Sequence, residues 1–188
     1  NRLIIPPQEA EKLVIEADKV YLRDCLCSVQ MHMRPPEKWE VFMLFEHASE
    51  YDRRQTRVIA ADEAVHIIRM TTSRLNIHQI FYFQESMRPL ELCNCCTKCC
   101  FPLLEAKEKG NYSEQLRCGY VAVTDKALCT GCGLCLETCF FEARQLENDI
   151  LQLIDTRCFG CGCCIAACPE HAIRLEFQEG HGVPIPEV

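Results

Sequence analysis

Cys129-Thr130-Gly131-Cys132-Gly133-Leu134-Cys135-Leu136-Glu137-Thr138-Cys139 is echoed further along the chain by Cys158-Phe159-Gly160-Cys161-Gly162-Cys163-Cys164-Ile165-Ala166-Ala167-Cys168-Pro169. In each run the in-phase cysteines are separated by two, two and three residues. Cys129 corresponds to Cys158, Cys132 to Cys161, Cys135 to Cys164 and Cys139 to Cys168. The residues around the runs repeat too. Tyr120 to Thr124 reads as a strand with Asp125 in the turn after it. Phe141 to Leu146 and Leu151 to Ile154 flank a turn at Glu147-Asn148-Asp149, and Ile173 to Phe177 forms the strand after the second run. The pattern predicts two similar units, each a cysteine loop, a short helix, a strand and a turn.

The chain has 188 residues and 17 cysteines, and fifteen of these lie between Cys93 and Cys168. Disulfide frameworks occur in short secreted chains whose cysteines staple distant loops. Neighbours two or three residues apart do not readily bond to each other but can converge on one metal centre, so metal ligation and a reducing compartment are expected. Oxygen sensitivity goes with that reading. The net charge is -7. Residues 93–188 carry 8 basic and 13 acidic side chains, against 12 and 14 in residues 1–92. This acidity argues against a nucleic-acid footprint, which needs a basic face, and suits docking on a basic patch of a redox partner. No apolar run approaches the roughly 18 residues of a membrane span. No leader is visible before Pro6-Pro7. No Walker or Rossmann fingerprint is present, so no nucleotide is expected.

The paired runs resemble bacterial-type two-[4Fe-4S] (dicluster) ferredoxins over residues 118–177, in which the fourth cysteine of each run serves the other cluster. The resemblance implies one [4Fe-4S] cluster held by Cys129, Cys132, Cys135 and Cys168, and another held by Cys158, Cys161, Cys164 and Cys139. Gly131, Gly133, Gly160 and Gly162 would let the backbone pass close to each cluster. Two departures stand out: Phe140 follows Cys139 where the family has proline, and Cys163 is an additional cysteine, read as a small buried residue.

Nine cysteines fall outside that pattern: Cys25, Cys27, Cys93, Cys95, Cys96, Cys99, Cys100, Cys118 and Cys163. Cys93-x2-Cys96-x2-Cys99 has ligand spacing for a third metal site, with Cys25 or Cys27 completing it. A third iron–sulfur cluster, a four-thiolate zinc site and structural or redox-labile thiols all stay open there. The wider chain is similar to anaerobe proteins that place a Cys-x-Cys and an Asn-Cys-Cys element ahead of a dicluster domain. Here Ser28 follows Cys27 and residues 31–44 hold no cysteine, which favours pairing of Cys25 and Cys27 with the 93–100 cluster.

Before the cysteine-rich region, apolar periodicity predicts helices over Gln8 to about Val20, from Pro35-Pro36 to about Ser49, and from Asp62-Glu63 to Leu75. Ile77 to Phe83 reads as a short strand. Met31, His32 and Met33 are read as ordinary residues, not ligands to a soft metal. The expected architecture is α+β: a small mainly helical or α/β domain (1–92), a cysteine-rich connector (93–117), a ferredoxin-like dicluster domain of two-fold repeated β-hairpin and short-helix units (118–177), and an extended tail (178–188). The expected function is cytoplasmic electron transfer with a redox protein partner, as a ferredoxin-like carrier or complex subunit, and no catalytic residue is assigned. The alternatives are a component of an anaerobic oxidoreductase with a substrate-facing centre at 93–100, or an iron–sulfur structural or sensor protein.

Overall fold

The computed structural model describes residues 2–27, 41–45, 56–82, 89–113, 115–147 and 150–187. Its architecture is α+β, a mixed β-sheet with several short helices. In chain order the elements are β1 (Arg2–Ile5), α1 (Pro7–Glu16), β2 (Val20–Asp24), β3 (Val41–Phe45), β4 (Arg57–Ile59), α2 (Ala61–Ser73), β5 (Ile77–Tyr82) and β6 (Pro89–Cys95). They continue with α3 (Phe101–Glu108), β7 (Gln115–Thr124), α4 (Leu134–Glu137), β8 (Arg144–Glu147), β9 (Ile150–Leu153), α5 (Cys163–Ala166) and β10 (Ile173–Gly182).

Eight strands share one sheet in the order β10-β7-β1-β5-β6-β3-β2-β4, and β8 and β9 form a separate hairpin. Short β1 holds a central place, parallel to β7 and antiparallel to β5. The sheet therefore draws strands from both sides of residues 93 and 118. Alternation along β1 explains its two faces. Leu3 and Ile5 join the core beneath the helices, while Ile4 joins a second core on the other side.

Helix α1 begins with Pro7 in its first turn, where a missing N–H is harmless, and buries Ala10, Leu13 and Val14. It stops at Glu16, short of the expected Val20. Asp18-Lys19 intervene, and Val20 instead pairs with Phe45 and Ile59 in the sheet. Helix α2 buries Ala64, Ile67, Ile68 and Thr71. It is tied to α1 by a bidentate pair from Arg69 to Glu11 at 3.0 and 2.8 Å.

One helix reading is corrected. Within the stretch expected to be helical from Pro35-Pro36 to about Ser49, Val41–Phe45 is a strand, and the remainder lies outside the described residues, as do Met31, His32 and Met33. A short run that is apolar throughout cannot be assigned by periodicity alone. Pairing with β2 on one side and β6 on the other makes it an interior strand. Among the described residues up to 92, strands and the two helices α1 and α2 are mixed.

The two cysteine runs share local geometry, position for position. Helices α4 and α5 each start after a glycine at φ 80°, Gly133 and Gly162. The Ala143 and Ala172 N–H groups donate to the sulfurs of Cys139 and Cys168 at 3.2 and 3.4 Å. The second loop is pressed against β7: a Cβ at Gly160, which has φ +65°, would stand 2.3 Å from the Tyr120 carbonyl oxygen. Gly131, at φ +72°, has nothing within 4 Å of that position.

Gly160→Ala is thus expected to combine left-handed strain with a backbone clash and to destabilise by about 3 kcal/mol. Gly131→Ala should lose only about 1 kcal/mol, from strain alone. Urea-denaturation midpoints of the two variants check this; equal losses would show that the second loop does not lie against β7 as described.

Candidate thiol site

Strand β6 decides where the cysteines go. Its alternation sends Leu92 into the core beneath the helices and Cys93 and Cys95 into the opposite core. Between the two cysteines, Asn94 is fully buried and faces His78 on β5, whose Nδ1 lies 2.7 Å from the Asn94 side-chain oxygen. The other ring nitrogen of His78 is 2.8 Å from the Thr72 hydroxyl of α2. The Asn94 side-chain oxygen is an acceptor, so His78 carries a proton on Nδ1, and burial keeps the ring neutral. Asn76 adds a hydrogen bond from its amide to the Asn94 carbonyl at 3.1 Å. This polar clamp fixes β6 and hence the two flanking sulfurs.

After β6 a tight turn, closed by the Cys100 N–H on the Cys96 carbonyl at 3.0 Å, brings Cys100 to the start of α3. From the far side Cys25 arrives directly after β2, and Cys27 follows two residues later. The result is a closed ring of five sulfurs. Cys27 contacts Cys100 and Cys25, Cys100 contacts Cys95, Cys95 contacts Cys93, and Cys93 contacts Cys25. The Cys95 and Cys93 sulfurs are 3.0 Å apart. Four members are buried and Cys27 alone is half-exposed.

Electrostatics separates Cys27 from the rest. Hydrogen bonds from the Cys100 and Cys25 thiols pull it far below the ordinary thiol range, against the opposing effect of burial. The Phe101 N–H at the first turn of α3, and the positive charge of Arg2, act in the same direction. A thiolate at a helix N-terminus is a favoured arrangement. Cys100 is pushed up by holding its proton for Cys27 and Cys95. Cys93 is likewise pushed up, chiefly by its contact with Cys25. Cys95 also ends well above the thiol range, where the Cys93 contact and burial outweigh the opposing hydrogen bond with Cys100.

Of the third-site spacing Cys93, Cys96 and Cys99, the described ring contacts involve Cys93. The ring takes Cys93 with Cys95 and Cys100, plus Cys25 and Cys27. The Cys96 sulfur accepts the Lys98 N–H at 3.3 Å, and Cys99 is buried. The signal available was the Cys-x-Cys alternation: read as a strand, residues 93 and 95 fall on one face. Cys118 is buried beneath the helices, pushed up to about 12 by that burial. Cys163 packs in the ring-side core, and its thiol donates to the Leu75 carbonyl at 3.5 Å.

Of the repeat cysteines, Cys129, Cys132, Cys135 and Cys168 line one cavity of about 20 Å³. Cys139, Cys158, Cys161 and Cys164 line another of about 20 Å³. Burial raises Cys135, Cys139 and Cys158, and pushes Cys164 up to about 12. Cys161 is raised first by its hydrogen bond with Cys163.

A family model described as a 4Fe-4S binding domain matches residues 122–145, which contain the first cysteine run and not the second. Comparison with curated proteins and with solved structures gave no match. The group that this likeness implies does not fit the residues as placed. Among the described residues, no group of three or more His, Cys, Asp or Glu side chains is disposed to hold a metal ion. Each repeat cavity is on the scale of one or two waters. In the ring, sulfurs at 3.0 Å stand closer than the ~3.8 Å that tetrahedral Zn–S bonds of about 2.3 Å impose.

These findings overturn the expectation of two [4Fe-4S] clusters, of a third cluster or zinc, and of electron transfer through them. They also replace the dicluster resemblance with a single region similar to one 4Fe-4S binding domain. Among the described residues no helix is long and apolar enough to cross a membrane.

The clamp under the ring has a pH signature. Burial lowers His78 to about 4 from the ordinary 6.5. The unfolded chain therefore takes up this proton between pH 6.5 and about 4 while the folded chain does not. The stability is present in full above pH 6.5 and is lost as pH falls toward 4, by about 3 kcal/mol. His78→Gln should flatten that part of the stability–pH curve relative to the parent; superimposable slopes would show that His78 is not buried neutral.

Proposed function

We propose that this chain is a thiol–disulfide exchange protein whose reactive centre is the five-cysteine ring. The observation that carries the reading is the position of Cys27: half-exposed, at the N-terminus of α3, with the thiols of Cys100 and Cys25 directed at it. A low-pKa, accessible thiolate beside a second thiol is the arrangement such exchange needs.

The Cys27 thiolate attacks one sulfur of a disulfide on a redox partner protein. A mixed disulfide forms and one partner thiolate leaves. The neighbouring Cys100 thiol then gives up its proton and attacks the Cys27 sulfur. A Cys27–Cys100 disulfide forms, the second partner sulfur departs as thiolate, and the proton passes to one of the two released sulfurs. Two protein thiols are oxidised and one partner disulfide is reduced. Cys93, Cys95 and Cys25 form the rest of the ring, through which the disulfide can be relayed inward.

We further read residues 118–177 as two copies of one unit, a reading supported by the local geometry that the second cysteine run shares with the first. Their eight cysteines, Cys129, Cys132, Cys135, Cys168, Cys158, Cys161, Cys164 and Cys139, are the candidate binding residues of the two small cavities. No cysteine is in a disulfide, which suits the reducing conditions of the cytoplasm.

Alkylation by iodoacetamide, followed by mass spectrometry of the native chain, tests the centre. Cys27 should react first, at a rate nearly unchanged between pH 6 and 8, because its thiolate is already formed across that range. An ordinary thiol would slow about tenfold per unit over the same interval. Cys27→Ser should remove the fast phase, and Cys100→Ser should accumulate the mixed disulfide with an aromatic disulfide reagent. Fast labelling that persists in Cys27→Ser would contradict the assignment.

A further inference from the structure

A cavity lies between the loop after α3, the start of β7 and the end of β10. Its volume is about 620 Å³, within the range of small-molecule sites. Three of its lining residues each carry a buried polar atom without a hydrogen-bond partner: Gln115 Oε1, Arg117 Nε and His181 Nε2. Gln115 is 5% exposed. A buried carboxamide oxygen without a donor is costly unless something else satisfies it. Three such atoms around one cavity point to a guest.

The walls say what kind. The chain carries -7 overall, yet Lys107, Arg117 and Arg157 all line this cavity. The one acidic side chain in the lining, Glu142, lies 3.6 Å from Lys107, which offsets its charge. The opposite wall is aromatic. Phe141 and Phe159 stack with centroids 4.3 Å apart, and Tyr112 meets Phe159 edge-on at 5.9 Å. The Arg117 guanidinium sits 4.9 Å above the Phe159 ring and donates to the Thr156 carbonyl, which fixes its orientation. A rigid cation beside an aromatic platform offers an anion a charge-assisted hydrogen bond and offers a ring a face or edge to pack on.

We propose that this cavity binds a small planar aromatic anion, its phosphate or carboxylate held by Arg117 and Arg157 and its ring packed against Tyr112 and Phe159. The proposal is independent of the chemistry at the thiol ring.

Isothermal titration of the full chain with 5′-AMP, benzoate, adenosine and inorganic phosphate tests it. At least one aromatic anion should bind, AMP if the anion is phosphate and benzoate if it is carboxylate. Adenosine and phosphate alone should each bind at least tenfold more weakly. Arg117→Met should weaken binding at least tenfold. So should Arg157→Met, at an exposed position where folding is insensitive to the change, whereas Lys12→Met on α1 should leave it unchanged. The proposal is overturned if neither aromatic anion binds, if adenosine or phosphate binds as tightly as the better-bound aromatic anion, or if Arg157→Met has no effect.

Discussion

The alternation of strand β6 governs both faces of this molecule. With Leu92 and Asn94 committed to the helix side, Cys93 and Cys95 have no choice but the other. The commitment is enforced by the buried His78–Asn94 hydrogen bond and by pairing with β5 and β3. A slip of one residue would drive two thiols under the helices and turn Asn94 into the opposite core, away from its histidine. The ring therefore exists because a polar clamp on the far side of the sheet sets the register.

From that register the chemistry follows by addition. Strand β2 ends at Asp24, so Cys25 and Cys27 enter the ring-side core from its edge. Helix α3 begins immediately beyond Cys100 and turns its first N–H toward Cys27. One sulfur is thereby singled out from five chemically identical groups, by a helix terminus, an arginine and the direction of two thiol hydrogen bonds. Contacts within the ring, together with burial, push Cys93, Cys95 and Cys100 up.

Much of the local structure was legible in the sequence. Ala10, Leu13 and Val14 announced α1, and Ala64, Ile67 and Ile68 announced α2, because each buries one stripe of a regular helix. The repeat was plain in the cysteines themselves. What periodicity could not supply was pairing. Val41–Phe45 is apolar at every position, so only its two neighbours in the sheet make it a strand. At the site, spacing proposed Cys93, Cys96 and Cys99 together, a turn-based logic. The sheet imposes a strand-based one that takes Cys93 with Cys95 and reaches Cys100 around the turn. The Gln115, Arg117 and His181 cavity gave no sequence signal, since its walls come from segments that lie far apart along the chain.

The central claim is that the ring is a set of thiols with one thiolate, at Cys27, and holds no metal. It is tested by purifying the full chain without oxygen and measuring thiols, iron and acid-labile sulfide on the same sample. The account predicts 17 titratable thiols per denatured chain, with iron and sulfide at background. Iron and sulfide in stoichiometric amounts would contradict it.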